Sequence, residues 1–239
     1  MTEGDWSAVP IRAVWFDVGE TLIDESREYG TWADWLGVPR HTFSAVFGAV
    51  IARGGDYREV FQHFRPGFDL AIERQARLDA EMGEYLNGQD LYPDVRPCLQ
   101  ALKAAGYFVG IAGNQTARAG RFLHELNLPC DVLATSDDWG VAKPDVEFFD
   151  KLVAVSGHNR DEIAYIGDRL DKRHSPRRPS WPLHHLAPAR PGYILGSDEL
   201  PMTGSLPDAA PTPTVRALTE LVAELASARD HAELRERRA

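Results

Sequence analysis

The stretch IRAVWFDVGETL, Ile11 to Leu22, decides how the rest of the chain is read. Its first half is β-branched and aromatic, and it stops abruptly at Asp17, with Gly19, Glu20 and Thr21 following. A short apolar run bounded by turn residues reads as a buried strand. Open α/β sheets collect their chemistry just past the carboxyl ends of such strands. Asp17 is therefore either a functional carboxylate or a cap on whatever follows the strand.

Working outward, the pattern after Thr21 turns helical. Trp32, Trp35 and Leu36 share one helical face, Phe43, Val46, Phe47 and Val50 a second, Val60, Phe61 and Phe64 a third, and Leu70, Ala71 and Leu78 a fourth. Breaks at Gly37-Val38-Pro39, Gly54-Gly55 and Arg65-Pro66-Gly67 separate them. This predicts a helical module over 23–92, inserted into a core made of 1–22 and 93–239. The aromatic stripes read as bundle core. Alternation of strands and helices resumes near Pro93: a helix from Asp94 to Ala105, a strand from Tyr107 to Ala112, a helix from Ala117 to Leu126, a strand near Asp131 to Thr135, a helix carrying Phe148, Phe149 and Leu152, and a strand from Ile163 to Ile166. Such alternation favours an α/β fold with a parallel, Rossmann-like sheet and right-handed crossovers, which gathers the strand ends on one edge. Asp17, Asn114, Lys143 and Asp168 all fall at or just after those ends.

Composition narrows the partners. The 239 residues carry a formal net charge of -10, with 44% hydrophobic and 26% charged residues, an ordinary globular balance. A net negative surface argues against a nucleic-acid or membrane-surface binder, though not against a small phosphorylated ligand in a local pocket. Cys98 and Cys130 show no metal-ligand spacing, and the opening MTEGDWSAVP has neither a basic leader nor an apolar core, so a cytoplasmic location is expected. A monomer and a homodimer are both compatible with the sequence.

Asp17 and Asp168, on separate strands, suit a hard divalent cation such as Mg²⁺, with positions left for water and a phosphate oxygen. A lysine at the same edge offsets their charge, and an aspartate can accept a phosphoryl group as an aspartyl-phosphate. At these residues the chain resembles the haloacid dehalogenase superfamily, whose members are mostly Mg²⁺-dependent phosphatases. FDVGETL is similar to its nucleophile motif, VGIAGNQ to its phosphate-binding motif, GVAKPDVEFF to its lysine motif, and YIGDRLD to the start of its acidic motif. The resemblance runs from about Ile11 to Asp171 and makes the helical module the inserted cap. It implies Asp17 as nucleophile and metal ligand, with the backbone of Gly19 near the metal and Asp168 as the second metal carboxylate. It further implies that Thr21 shapes the loop, that Lys143 pairs with Asp17 and with phosphate, and that Gly113 and Asn114 bind phosphate.

The chain departs from that pattern at three places. Position 19, which usually carries a second aspartate, is Gly19; acid–base help of that kind contributes about 10²- to 10⁴-fold, so slow turnover of alkyl phosphates and tolerance of activated esters are expected. Gly113 replaces the usual hydroxyl residue, leaving backbone N–H groups and the Asn114 amide for an oxyanion, with Thr116 as a substitute or a helix cap. The expected second acid of the fourth motif is Arg173. It lies in KRHSPRRPSWPLHHLAPAR, Lys172 to Arg190, which has no acid and contains Pro176, Pro179, Pro182 and Pro188. Proline disfavours both helix and strand there. Shifting the codons of 172–174 by one nucleotide permits Asn-Asp-Ile, and the Trp181-Pro182 junction becomes glycine, so a compensated frameshift ending near Pro191 is one reading, decided by sequencing the source DNA. Beyond it, Val215 to Ala226 predicts an amphipathic terminal helix.

Three functions compete: a Mg²⁺-dependent hydrolase of small phosphorylated metabolites, a weakened or inactive relative serving as a scaffold, and a metal-free 2-haloacid dehalogenase, against which Asp168 speaks. In the cap, Arg27, Arg53, Arg58, Arg65 and His63 are the candidates to meet an anionic substrate.

Overall fold

In the computed structural model, residues 11–168, 184–188, 214–215, 218, 220–223 and 225–227 are described. The run that ends in Asp17 forms β1 (Ala13–Phe16), every residue of it buried. It is joined by β2 (Phe108–Gly113), β3 (Val132–Thr135), β4 (Ile163–Ile166), β5 (His184–Pro188) and β6 (Thr214–Val215) in the order β3-β2-β1-β4-β5-β6. All the pairings are parallel. β1 is central, with Phe16 opposite Ile111 on one side and Ile166 on the other.

Because side chains alternate across a strand, β1 feeds two apolar layers. Val14 and Phe16 join Val109, Ile111, Ala164 and Ile166 under α5 (Val95–Ala104), whose Val95, Leu99 and Leu102 are buried, and under α6 (Ala117–Glu125) through Leu123. Leu218, Leu221 and Leu225, on the helical face expected near the carboxyl terminus, complete this layer. On the other side Ala13, Trp15, Ile163 and Tyr165 pack on Phe148, Phe149 and Leu152 of α8 (Val146–Ser156), which follows the short α7 (Ser136–Trp139).

The indole of Trp15 lies flat against the backbone of Gly110. A Cβ there would fall 2.3 Å from the Trp15 ring. Both residues are on strands inside the sheet, so neither can move away without unpacking its neighbours. Gly110→Ala is expected to destabilise the protein by about 1–3 kcal/mol, the usual cost of overpacking. Urea unfolding should show a lower midpoint at an unchanged slope.

Helices α1 (Ser26–Leu36), α2 (Arg40–Ala52), α3 (Glu59–Phe64) and α4 (Leu70–Asp79) form an apolar cluster of their own, with Trp32, Phe43, Phe47, Val50, Val60, Phe61 and Phe68 buried. The aromatic stripes read from the sequence are thus its core. The chain leaves the sheet and returns to it side by side: Ile23 bridges Leu91, the Asp24 N–H donates to the Asp90 carbonyl at 2.8 Å, and the Tyr92 N–H donates to the Leu22 carbonyl at 3.1 Å. Arg27 holds this crossing through Asp90, at 2.8 and 2.5 Å. Inside the helical segment the buried Arg77 stacks 3.9 Å from the Trp32 ring centre and donates to Glu28 and Thr31.

One expectation is corrected. The proline-rich segment does supply a strand, since His184–Pro188 pairs with β4 from Ala164↔His184 to Ile166↔Leu186. The run His184-His185-Leu186-Ala187, which contains no proline, supplies the pairing to β4, and Pro188 ends the strand opposite Val215 of β6. Residues 172–183 and 189–190, including Arg173, lie outside the described residues, and most of the 172–190 stretch read as a frameshift falls there.

Candidate active site

Asp17 stands one residue beyond β1, and its N–H donates to the Ile166 carbonyl at 2.7 Å. That bond sets it beside the end of β4, where Asp168 follows. The Asp17 Oδ1 accepts from the Val18 N–H at 2.8 Å, and Oδ2 accepts from the Lys143 ammonium. The Lys143 side chain is only 3% exposed, and its ammonium lies 5.3 Å from the centre of the Tyr165 ring. A carboxylate and an aromatic face therefore hold the cation in a low-dielectric setting, where its field at Asp17 is strong.

The loop carrying Lys143 is fixed by Asn114. The Lys143 N–H donates to Asn114 Oδ1 at 2.7 Å, and Asn114 Nδ2 donates to the Lys143 carbonyl at 2.9 Å. Both ends of the amide are thus engaged, and the observed work of Asn114 is to position Lys143. Gly113 gives the Asp17 loop room, because a Cβ there would lie 2.7 Å from Asp17 Oδ1. Thr21 is fully buried and is not among the cavity-lining residues. Thr116 caps α6, accepting from the Ala119 N–H at 3.0 Å.

A cavity of ≈ 110 Å³ opens at this strand edge. Asp17, Gly19, Asn114, Lys143 and Asp168 line it from the core, while Tyr29, Trp32, Phe47, Tyr57, Phe61, Leu70 and Arg74 line it from the helical segment. Asp17, Gly19, Asn114, Lys143 and Asp168, all candidates on the sequence alone, are therefore brought together around one space. None of Arg27, Arg53, Arg58, Arg65 and His63 lines it; the cation there from the helices is the exposed Arg74. Arg65 instead pairs with Glu73 at 2.8 Å.

Two further carboxyls lie beside Asp17. Glu20 has a left-handed φ of 52°, which turns its side chain inward. There it accepts from the Glu25 N–H at 3.0 Å and from the Tyr92 hydroxyl at 2.6 Å, tying both chain crossings together. Glu25 reaches into the cavity and accepts from the Gln115 amide at 3.3 Å. Burial first, then the Glu20 carboxylate and, more weakly, Asp168 and Asp17, push its carboxyl up to about 8, against the opposing Gln115 hydrogen bond. Nothing in the sequence marks Glu25. An acid at the start of a helix is favourable for local reasons alone, and its approach to Asp17 is a tertiary fact.

Asp17 and Asp168 offer hard oxygen donors on adjacent strand ends. Mg²⁺ is commonly held by one or two carboxylates, with waters and a phosphate oxygen completing its shell, so the residues present fit that ion. Among the described residues no cluster of three or more His, Cys, Asp or Glu is arranged as a metal site. No helix among the described residues is long and apolar enough to cross a membrane.

A parallel sheet with an aspartate beyond its central strand, a buried lysine against that aspartate and helices inserted after the first strand define a Rossmann-like α/β enzyme with an inserted helical segment. The chain belongs to the haloacid dehalogenase-like hydrolases, whose family model matches residues 11–172. It is similar to the glyceraldehyde 3-phosphate phosphatase of Methanocaldococcus jannaschii, 33% identical over 90 residues, covering 36% of this chain and 40% of that protein. It is likewise 33% identical over 91 residues to the enzyme of the same name from Methanopyrus kandleri, covering 34% and 36%. The chain thus spans about two fifths of the length of the curated relatives it matches. Among solved structures it is similar to the HAD-hydrolase YfnB of Bacillus subtilis bound to magnesium, with TM-score 0.62, 18% identity and coverage of 91% of this chain and 99% of that one. The L-2-haloacid dehalogenase of Xanthobacter autotrophicus, with chloropropionic acid covalently bound, gives TM-score 0.60 at 17% identity, covering 90% and 98%. At these identities the structural likenesses establish the fold.

Proposed function

We propose that this hydrolase is a Mg²⁺-dependent phosphatase of small phosphorylated metabolites, working through an aspartyl-phosphate on Asp17 under the helical segment 23–92 as its cap. The observation that carries the reading is the Asp17–Lys143 pair sharing a cavity with Asp168. The phosphatase names of the curated relatives support it, and a cavity of ≈ 110 Å³ suits a small substrate.

In this reading an Asp17 carboxylate oxygen attacks phosphorus in line with the leaving oxygen. Lys143 faces both the nucleophile and the phosphoryl oxygens, holding the two anions together against their repulsion. Asn114 keeps the lysine loop in register. Asp17 and Asp168 would hold Mg²⁺, which when bound supplies charge neutralisation at the phosphoryl oxygens. The aromatic side chains of the cap exclude water from the reacting atoms, and Arg74 is placed to meet an anionic group at the far end of the substrate.

The deciding assay follows phosphate release from 4-nitrophenyl phosphate with Mg²⁺ and with a chelator, and halide release from 2-chloropropionate. Mg²⁺-dependent phosphate release is expected. Metal-free halide release would establish a dehalogenase instead, and silence in both assays would favour the scaffold reading.

A further inference from the structure

Breaking an ester bond to phosphorus leaves an electron pair on the departing oxygen, and for an alcohol of ordinary acidity that oxygen needs a proton as it leaves. The carboxyls around the cavity differ in how fully they are already engaged. Glu20 accepts from the Glu25 N–H and the Tyr92 hydroxyl. Glu28 accepts from the Arg77 guanidinium at 2.8 Å, and Glu84 from the Thr116 hydroxyl at 2.5 Å. The Glu25 carboxyl, among the described residues, is engaged only by the long 3.3 Å bond from Gln115.

Its position is informative. Gly19 has no left-handed φ, so its backbone does not require glycine. What occupies the space of a side chain there is the Glu25 carboxyl itself. A Cβ at residue 19 would lie 2.6 Å from Glu25 Oε1, 2.7 Å from its Cδ and 2.8 Å from Oε2. The carboxyl thus fills the space over Gly19, two residues from Asp17 on the same cavity wall. It arrives there from the first crossing into the helices, held at its backbone by Glu20.

We propose that Glu25 is the proton donor and acceptor of the reaction, delivering from the start of the cap a carboxyl that the nucleophile loop lacks. This rests on the phosphatase reading above. In the first half-reaction an Asp17 oxygen bonds to phosphorus, the bond from phosphorus to the ester oxygen breaks with its electron pair on that oxygen, and the Glu25 carboxyl gives up its proton to release the alcohol. In the second, the Glu25 carboxylate takes a proton from water as the water oxygen attacks phosphorus. The Asp17–phosphorus bond then breaks with its pair on Asp17, inorganic phosphate leaves, and both carboxyls return to their starting states.

The test compares two esters, 4-nitrophenyl phosphate, whose leaving group needs little protonation, and glycerol 3-phosphate, whose leaving group needs it fully. Glu25→Gln is expected to lower kcat/KM for the alkyl ester by about 10²-fold or more and for the aryl ester by less than about tenfold, since only the first depends on acid help. Equal losses on both esters, or no loss on either, overturn the proposal while leaving the phosphatase reading standing. Wild-type silence on both esters overturns the two together. Should Glu25→Gln fail to fold, the double variant Gly19→Asp with Glu25→Ala returns a carboxyl to the same space from the other residue. Alkyl turnover lost in Glu25→Ala alone while aryl turnover survives, and recovered in the double variant, supports the assignment; alkyl turnover kept by Glu25→Ala alone overturns it.

Discussion

Asp17→Asn is expected to lower phosphate release from 4-nitrophenyl phosphate by at least about 10⁴-fold, the scale on which loss of a nucleophile acts. The amide keeps the shape of the carboxylate. Its single oxygen can replace one of the two acceptors: turned toward Val18 it keeps the bond to that N–H, and the amide NH₂ then faces the Lys143 ammonium. What goes is the negative oxygen able to bond to phosphorus. The stability change should be small, because two effects oppose. The buried Lys143 loses its counter-charge, which is costly, while Asp168 loses a like-charged neighbour in the same cavity. Functional sites commonly hold such repulsion at the expense of stability. Acid-quenched mass spectrometry provides a second measurement. A phosphate adduct on the peptide containing Asp17 should form in the wild type and be absent in the variant. Turnover within tenfold of wild type would remove Asp17 from the nucleophile's role.

The core was legible where the chain repeats its own logic. AVWF, FVGIAG and IAYI are short buried runs stopped by turn residues, and their alternation with helices fixes a parallel sheet whose ends converge. That is why Asp17, Lys143 and Asp168 could be expected together before any geometry. What resisted reading depends on neighbours distant in sequence. The tight contact of Trp15 on Gly110 is invisible in either strand alone. Density of proline hid β5, because its pairing with β4 uses only the proline-free residues ahead of Pro188. Arg27, read as a substrate contact, is instead engaged by Asp90, and Arg74 on α4 reaches the cavity. Gly19 is the instructive case. Taken by itself it means a missing acid, and with it a slow alkyl phosphatase. Beside Glu25, the same glycine becomes the space that a carboxyl from elsewhere occupies.

Lys143→Met is the second large effect. Methionine keeps the length and apolar stem of lysine and removes the charge, and the loop survives the change because Asn114 grips the Lys143 backbone rather than its side chain. The variant therefore isolates the ammonium. Losing a preorganised charge beside the reacting oxygens costs about 10²- to 10³-fold in kcat, and that is the expected drop with 4-nitrophenyl phosphate. Binding should weaken as well, since Asp17 would then meet a phosphate dianion with no cation between them. Raising Mg²⁺ should recover part of the loss, because a cation held by Asp17 and Asp168 can neutralise some of the same charge. Lys143→Arg should not rescue it. The side chain is almost fully enclosed against Tyr165, and a planar guanidinium is wider than the ammonium it replaces. A Lys143→Met enzyme within tenfold of wild type at every Mg²⁺ concentration would mean that the lysine only braces the loop. The electrostatic share of the mechanism would then fall to the metal.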